Sequence, residues 1–291
     1  MIMTVAKKRE KARRNLIVAL IVLAIVVVGG VGYSAYRSVD DQGGTVVKVG
    51  VYGNSDDAIW NAVQKELDGE KSGIAIELKP FQDGETINRA LASGELDLNA
   101  FQHYAYLDQE NKDNGYGLVS IGETYVSPLN LYSQRYKKVS DIRPGDKVAI
   151  PNDASNIGRA LKVLDAAGLI RLKDSTKANP TIDDIASNPS GIDIKLNEGT
   201  AIVRLLPDYA AGVITTNVVI NAGLKVSSAI YQSPVKSSNK AFKPYVNVIV
   251  ARHDEKNNAT YRKIVDAYHT KSVAAAINKN YKGAVVPVFK Y

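Results

Sequence analysis

Two α/β lobes facing a shared cleft are the fold class this chain predicts, and three observations predict it. Short apolar strands alternate with segments of helical spacing. The alternation restarts after an irregular stretch. The part that carries it, residues 46–291, is long enough for one large domain or two ordinary lobes. In the first run, 46–51 reads as a strand. Residues 56–67 read as a helix with Ile59, Trp60, Val63 and Leu67 on one face. A strand at 74–78, a helix at 85–92 with Ile87, Ala90 and Leu91 inward, a short strand at 96–99 and a helix at 104–114 follow. This rhythm implies a parallel sheet covered by helices. Residues 119–136 show no regular pattern.

The second run starts with a strand at 147–150 and a helix at 156–167 stopped by Gly168, then strands at 192–196 and 212–214. After Pro244 a strong strand at 246–251 leads into helices at 258–269 and 272–280, expected to pack back on the first lobe. The division is therefore 46–133 plus 245–291 for the first lobe and 134–244 for the second. Ligands in such folds bind at the carboxyl ends of strands and at domain interfaces.

Ahead of the body stand a basic tail (1–15), an apolar run (16–36) and a polar linker (37–45). The run holds no charge, and a bilayer core needs roughly 20 apolar residues. Lys7, Lys8, Arg9, Lys11, Arg13 and Arg14 mark the cytoplasmic side, which puts the body outside the cell membrane. An uncleaved transmembrane anchor fits the length of the run. A cleaved signal peptide, releasing a secreted protein, fits Gly32 and Ser34. These basic residues also carry most of the formal charge of +7, and no basic run elsewhere is interleaved with aromatics, so nucleic acid is no expected partner. The chain has no cysteine, which excludes disulfides, zinc–thiolate sites, thiol nucleophiles and a lipid on cysteine. Its three histidines are far apart in sequence, so no metal or other cofactor is expected.

Candidate cleft residues sit where strands run into helices. Ile150 to Arg159 (IPNDASNIGR) follows a strand and opens a helix. Asn152, Asp153 and Ser155 suit an N-cap, and a helix start favours an anion. Arg159 in or near the first turn opposes the helix dipole by about 0.3–1 kcal/mol. A ligand carboxylate would compensate it as a bidentate pair, as would a surface acid. At the end of the 96–99 strand, Phe101, His103, Tyr104 and Tyr106 cluster aromatic surface. Tyr106 also fits plain helix packing. Thr215 and Asn217 after the 212–214 strand, Asn247 in the strand after Pro244, and Tyr52 in the first strand-to-helix turn could converge on the same cleft.

The segments AFQHYAYLD, IPNDASNIGRAL and PYVNVIVAR, in this order and spacing, resemble the NlpA/MetQ family of methionine-binding lipoproteins that serve ABC importers. FQDGETINRAL and GLIRLKD support the resemblance, which covers residues 46–282. It implies a type II periplasmic-binding-protein fold, two lobes joined by two crossovers with the ligand between them. By resemblance the ligand is L-methionine or a related amino acid or dipeptide, and the partners are a permease and an ATPase. Arg159 would then hold the ligand carboxylate, Phe101 and His103 would shape the side-chain pocket, and Asn247 would help bind the polar end. Asn152, Asn156, Tyr106, Thr215, Asn217 and Tyr52 complete the candidate set. Departures are Gly84 and Ser127 where the family has aromatics, Thr215 where it often has Asn, and the absent lipid-carrying cysteine. A ring can bury about 150–250 Å², so a roomier, more polar pocket is expected, suited to a dipeptide or a larger or more polar amino acid.

An enzyme on the same frame would use His103 as a base beside Asp97 or Asp108. No catalytic triad and no glycine-rich phosphate loop supports it, and the adjacent pairs Asp56-Asp57 and Asp183-Asp184 read as helix-start acids. Binding without chemistry is the function the chain predicts. The alternative is a membrane-anchored sensing ectodomain no longer coupled to transport.

Overall fold

The computed structural model describes residues 44–234 and 240–291. The basic tail, the apolar run 16–36 and most of the linker lie outside the described residues. Among the described residues no helix is long and apolar enough to cross a membrane.

Two mixed sheets organise the chain. The larger has six strands. Its first half comprises β1 (Thr45–Tyr52), β2 (Ile74–Phe81) and β3 (Leu98–Asn99). These alternate with α1 (Asp57–Gly69), α2 (Gly84–Ala92) and α3 (Tyr104–Asn114). β4 (Leu118–Val126) completes the run before the chain passes through Ser127 and Pro128 into the second sheet. That sheet has four strands: β5 (Leu129–Tyr132), β6 (Lys147–Pro151), β9 (Asp193–Asn197) and β10 (Ala211–Thr215). α4 (Ala154–Ala166), a small hairpin of β7 (Arg171–Leu172) and β8 (Ile185–Ser187), and α5 (Ile202–Leu205) lie between them. After α6 (Thr216–Asn221) the chain returns to the larger sheet as β11 (Val246–Arg252), followed by α7 (Ala259–Tyr268), α8 (Lys271–Tyr281) and β12 (Val286–Pro287).

The strand orders are β12-β4-β11-β3-β1-β2 and β5-β10-β6-β9. β1 and β3 are parallel, as are β10, β6 and β9. The expectation of parallel sheets fails where the chain changes sheets, because β4 and β11 pair antiparallel, as do β5 and β10. The stretch 119–136, read as irregular, is mostly strand. Two register shifts in the β4–β11 ladder break its alternation, and Val126, Ser127 and Pro128 are buried on both sides of the crossing. A bulged strand loses the period of two that identifies a strand in sequence.

The helical faces follow the apolar spacing. α1 buries Ile59, Trp60, Val63 and Leu67, each worth about 1.5–3 kcal/mol if a fully buried aliphatic side chain is the guide. α7 and α8 pack on α1, with Trp60 edge-on to Tyr268 at 5.5 Å. Under the smaller sheet, Val148, Ile150, Leu161, Leu164 and Val213 belong to one cluster. α4 begins at Ala154, two residues before the 156–167 reading, because Asp153 caps it by accepting from Asn156 N at 2.9 Å. Asp56 precedes α1 but makes no cap bond. Its carboxylate is buried and accepts from the Tyr125 hydroxyl at 2.9 Å and from the Tyr281 hydroxyl, so it is not a plain helix-start acid.

Candidate functional site

The carboxyl ends of β1, β3, β6 and β10 all end on one cavity of about 450 Å³. A parallel strand delivers its following turn to the same end as its neighbours, so four strand-to-helix turns converge there. All ten candidate residues line it: Tyr52 after β1, Phe101, His103 and Tyr106 after β3, Asn152, Asn156 and Arg159 after β6, Thr215 and Asn217 after β10, and Asn247 on β11.

Arg159 is half-buried, and desolvation pulls its guanidinium down to about 10. Nη2 donates to the Ser127 carbonyl at 2.7 Å and Nη1 to Asn156 Oδ1 at 2.9 Å, while the guanidinium lies 4.6 Å from the centre of the Tyr245 ring. Among the described residues no carboxylate lies within ion-pair distance of it, so the surface-acid alternative is set aside. A desolvated cation without an anion is costly, and this one opens onto the cavity.

Asn156 ties the arginine to the aromatic loop. Its Oδ1 also meets His103 Nε2 at 3.2 Å, and its Nδ2 donates to Asp153 Oδ1 at 3.0 Å. His103 Nδ1 accepts from Tyr106 N at 3.1 Å. That bond assigns the proton to Nε2, which donates to Asn156. Burial first, then the charge of Arg159, lowers His103 to about 3, so the ring is neutral at ordinary pH. Its one acceptor nitrogen is already used, and Asp97 accepts instead from Lys48 N at 2.7 Å. Neither Asp97 nor Asp108 pairs with it, and the reading of His103 as a base fails on geometry.

Phe101 meets Tyr106 edge-on at 5.9 Å, and His103 meets Tyr245 edge-on at 5.6 Å. Gly84 faces this group: a Cβ there would lie 2.6 Å from the Phe101 ring and 2.9 Å from the Tyr106 hydroxyl. The expected extra room is therefore absent at Gly84, because Phe101 and Tyr106 occupy it. Ser127 meets the arginine through its backbone carbonyl, and its side-chain hydroxyl is buried without a partner among the described residues. Asn247 is half-buried, and its backbone bridges to His103. Asn217 donates to the Tyr125 hydroxyl at 3.1 Å. Thr215 precedes α6 without capping it.

Sequence reasoning missed two groups. Glu198, Gly199 and Thr200 after β9 reach the cavity from a loop that carries no periodic signal. Glu198 accepts from Thr200 N at 3.0 Å and Ala201 N at 2.8 Å, a turn signature visible only as Glu-Gly-Thr. Behind Phe101 lies a buried amide network. Asn99 Nδ2 donates to Asn88 Oδ1 at 3.0 Å, Gln102 Nε2 donates to Asn99 Oδ1 at 3.0 Å, and Asn88 Nδ2 donates to Gln102 Oε1 at 2.9 Å. Asn88 could have been found, since it interrupts the apolar face of α2. On the acidic side, burial and then the neighbours Glu85, Asp113 and Asp153 push Glu110 up, partly offset by a hydrogen bond from Asn88.

Two sheets meeting at a ligand-sized cavity with aromatic walls and a cation that has no ion-pair partner among the described residues make a frame suited to holding a solute. The structure is similar to a nutrient-binding protein from Burkholderia cenocepacia solved bound to methionine, with 39% identity and a TM-score of 0.75 over 84% of this chain and 100% of that one. It is also similar to the substrate-binding protein of a methionine transporter from Streptococcus pneumoniae, with 35% identity and a TM-score of 0.76 over 84% of this chain and 96% of that one. The D-methionine-binding lipoprotein MetQ of Yersinia pestis is 39% identical over 242 residues, 82% of this chain and 87% of that protein. The sequence model of the NlpA lipoprotein family matches residues 47–289, and the chain belongs to that family.

Proposed function

We propose that this chain is an extracytoplasmic substrate-binding protein that captures methionine, a related amino acid or a short peptide for the permease and ATPase of an ABC importer. It binds without chemistry on the ligand. The observation that carries this reading is Arg159, a half-buried, desolvated guanidinium with no carboxylate at ion-pair distance among the described residues, opening onto a cavity walled by Phe101, His103 and Tyr106. A ligand carboxylate supplies the missing anion, the rings take an apolar side chain, and the acidic side near Glu110 suits a ligand amine. The relatives, named for methionine binding and methionine transport, support the same ligand class.

We read the sheets as two lobes that close around the ligand by hinge motion. Residues 46–133 with 245–291 and 134–244 serve as the division, with the first crossing moved to Ser127-Pro128 because β5 pairs with β10. The curated relatives are lipoproteins and this chain has no cysteine, so the apolar run 16–36 is the tether. Fractionation of cells expressing the full chain tests this: recovery in the membrane pellet resistant to high salt supports it, and a shortened soluble form indicates cleavage.

Calorimetric titration with L- and D-methionine, methionine-containing dipeptides and an amino-acid panel tests the ligand. Micromolar or tighter binding of one of these at one site per chain is expected. Sub-micromolar affinity for methionine alone removes the enlarged ligand class, and no binding at millimolar concentration overturns the receptor reading.

A further inference from the structure

We infer that Tyr125, which is not part of the cavity wall, is a positioning residue of the ligand site. It fixes the side-chain amide of Asn217 so that the protein holds Nδ2 and Oδ1 stands free as an acceptor for the ligand's ammonium group. The inference rests on the proposed binding role of this cavity.

Asn217, in the first turn of α6, is half-buried and lines the cavity. Its Nδ2 donates to the Tyr125 hydroxyl at 3.1 Å. Its Oδ1 accepts no hydrogen bond among the described residues and is not sealed off by burial. The two ends of an amide are alike in shape, and only the hydrogen-bond network tells them apart. Here the network runs through a buried carboxylate. Asp56, 7% exposed, accepts from the Tyr125 hydroxyl on Oδ2 at 2.9 Å and from the Tyr281 hydroxyl on Oδ1. Burial raises Asp56 only to about 6, so at neutral pH it is mainly a carboxylate, with no proton to give. A tyrosine hydroxyl has one proton. Tyr125 spends its proton on Asp56, and Tyr281 does the same, so toward Asn217 the Tyr125 oxygen can only accept. The group that faces it is therefore the NH₂, and the carbonyl is turned away from Tyr125 and left to the cavity.

The other amides around the cavity are less suited. Asn156 Oδ1 meets Arg159 Nη1 at 2.9 Å and His103 Nε2 at 3.2 Å, and Gln102 Oε1 accepts from Asn88 at 2.9 Å. Asn152 and Asn247 line the cavity with side chains that make no hydrogen bond among the described residues, so nothing turns a particular end of either amide to a ligand. Glu110, Asp153 and Glu198 attract an ammonium through their charge. Asn217 adds a directed bond, and a bond from an ionised donor is a strong one. Tyr125 lies on β4 of the larger sheet and Asn217 follows β10 of the smaller, so this one bond carries the orientation from sheet to sheet.

The test is a double-mutant cycle of Tyr125→Phe and Asn217→Ala, titrated by calorimetry at neutral pH. The ligands are L-methionine, or the methionine-containing dipeptide that wild type binds most tightly, and the same molecule without its α-amino group. Asn217→Ala lowers affinity for the amine-bearing ligand roughly tenfold or more, the range for a hydrogen bond to a charged group. Tyr125→Phe lowers it roughly three- to tenfold, because the amide is no longer held with its carbonyl outward. In the chain that already carries Asn217→Ala, Tyr125→Phe changes affinity less than about twofold. The ligand without an amine loses less than about twofold on either substitution, and a loss equal to that of the amine-bearing ligand overturns the inference. Equal costs of Tyr125→Phe with and without Asn217→Ala also overturn it, since a merely structural role acts in both chains alike. So does unchanged affinity of Asn217→Ala. A crystal structure of the wild-type complex decides the matter even if Tyr125→Phe fails to fold. A ligand nitrogen within about 3.2 Å of Asn217 Oδ1 is expected, and one beyond about 4 Å overturns the inference. Absence of binding by the wild-type chain itself overturns the receptor reading, and this inference with it.

Discussion

Arg159 separates charge from geometry. Arg159→Lys keeps the cation but loses the planar fork that meets Asn156 and Ser127 together and that, in the proposed function, also meets the ligand carboxylate. Affinity for the best carboxylate ligand of the titration panel is expected to fall about tenfold or more, while the melting temperature without ligand changes little. Unchanged affinity removes Arg159 as the carboxylate anchor. Two buried groups set the pH dependence. Burial lowers His103 from 6.5 to about 3, so its contribution is fully present above pH 6.5 and is lost as pH falls toward 3. Burial raises Asp56 from 3.8 to about 6 against the hydrogen bonds from Tyr281 and Tyr125, so folding becomes less favourable as pH rises through that window. The two slopes oppose each other between pH 4 and 6. Asp56→Asn removes one of them: the variant should gain on wild type by ~3 kcal/mol between pH 4 and pH 7, measured by urea unfolding at each pH. A stability difference independent of pH contradicts the assignment.

At the scale of elements, α2 is the support of the aromatic wall. It buries Ile87, Ala90 and Leu91 as its spacing predicts, but its fourth buried side chain is Asn88. That amide holds Asn99 at the end of β3 and Gln102 in the loop that presents Phe101 and His103. Asn88→Ala takes the partners shown here from Asn99 Nδ2 and Gln102 Oε1 while Gln102 Nε2 keeps Asn99 Oδ1, a cost of about 1–3 kcal/mol for each group left unmade. A fall in stability of ~2–4 kcal/mol is expected in denaturant unfolding, together with weaker ligand binding. Stability loss below ~1 kcal/mol means that the network relaxes onto other partners. The same helix explains Gly84, where a side chain would collide with Phe101 and Tyr106. α1, α2 and α3 are legible because each has a clear apolar stripe or a cap. β4 is not, since bulges scramble its alternation. The loop after β9 is not either, since its role depends on where β6 and β9 place it.

For the whole molecule, both crossings between the sheets converge on one side chain. Arg159 is bonded to Ser127 at the first crossing and lies on Tyr245 just before β11 at the second. Any ligand that orders Arg159 therefore acts on both connections. A second link lies at the cavity edge: Asn221 on α6 donates to the Tyr52 carbonyl and accepts from Asn54 N, both at 3.1 Å. Gly53 between them has φ +56, and Asn221 covers it so closely that a Cβ would meet its amide at 2.5 Å. Asn221→Ala should favour an open form. The expected outcome is a larger radius of gyration of the ligand-free protein in small-angle scattering, and affinity for the best ligand of the panel lower by about threefold to tenfold, as for one or two ordinary hydrogen bonds. Identical scattering and affinity would mean that Asn221 does not hold the closed form.

By itself the sequence determined the α/β class, the faces of the helices, the family resemblance and the positions of the candidate residues. These are local facts: apolar spacing, caps and strand-end turns are written within a few residues of one another. Tertiary structure decided what those residues do. Among the described residues it left Arg159 without an ion-paired acid and the Ser127 hydroxyl without a partner, used the second nitrogen of His103 on Tyr106 N, and filled the space at Gly84 with Phe101. Each of these depends on groups far apart in the chain, brought together only when the two sheets set their strand ends against one cavity.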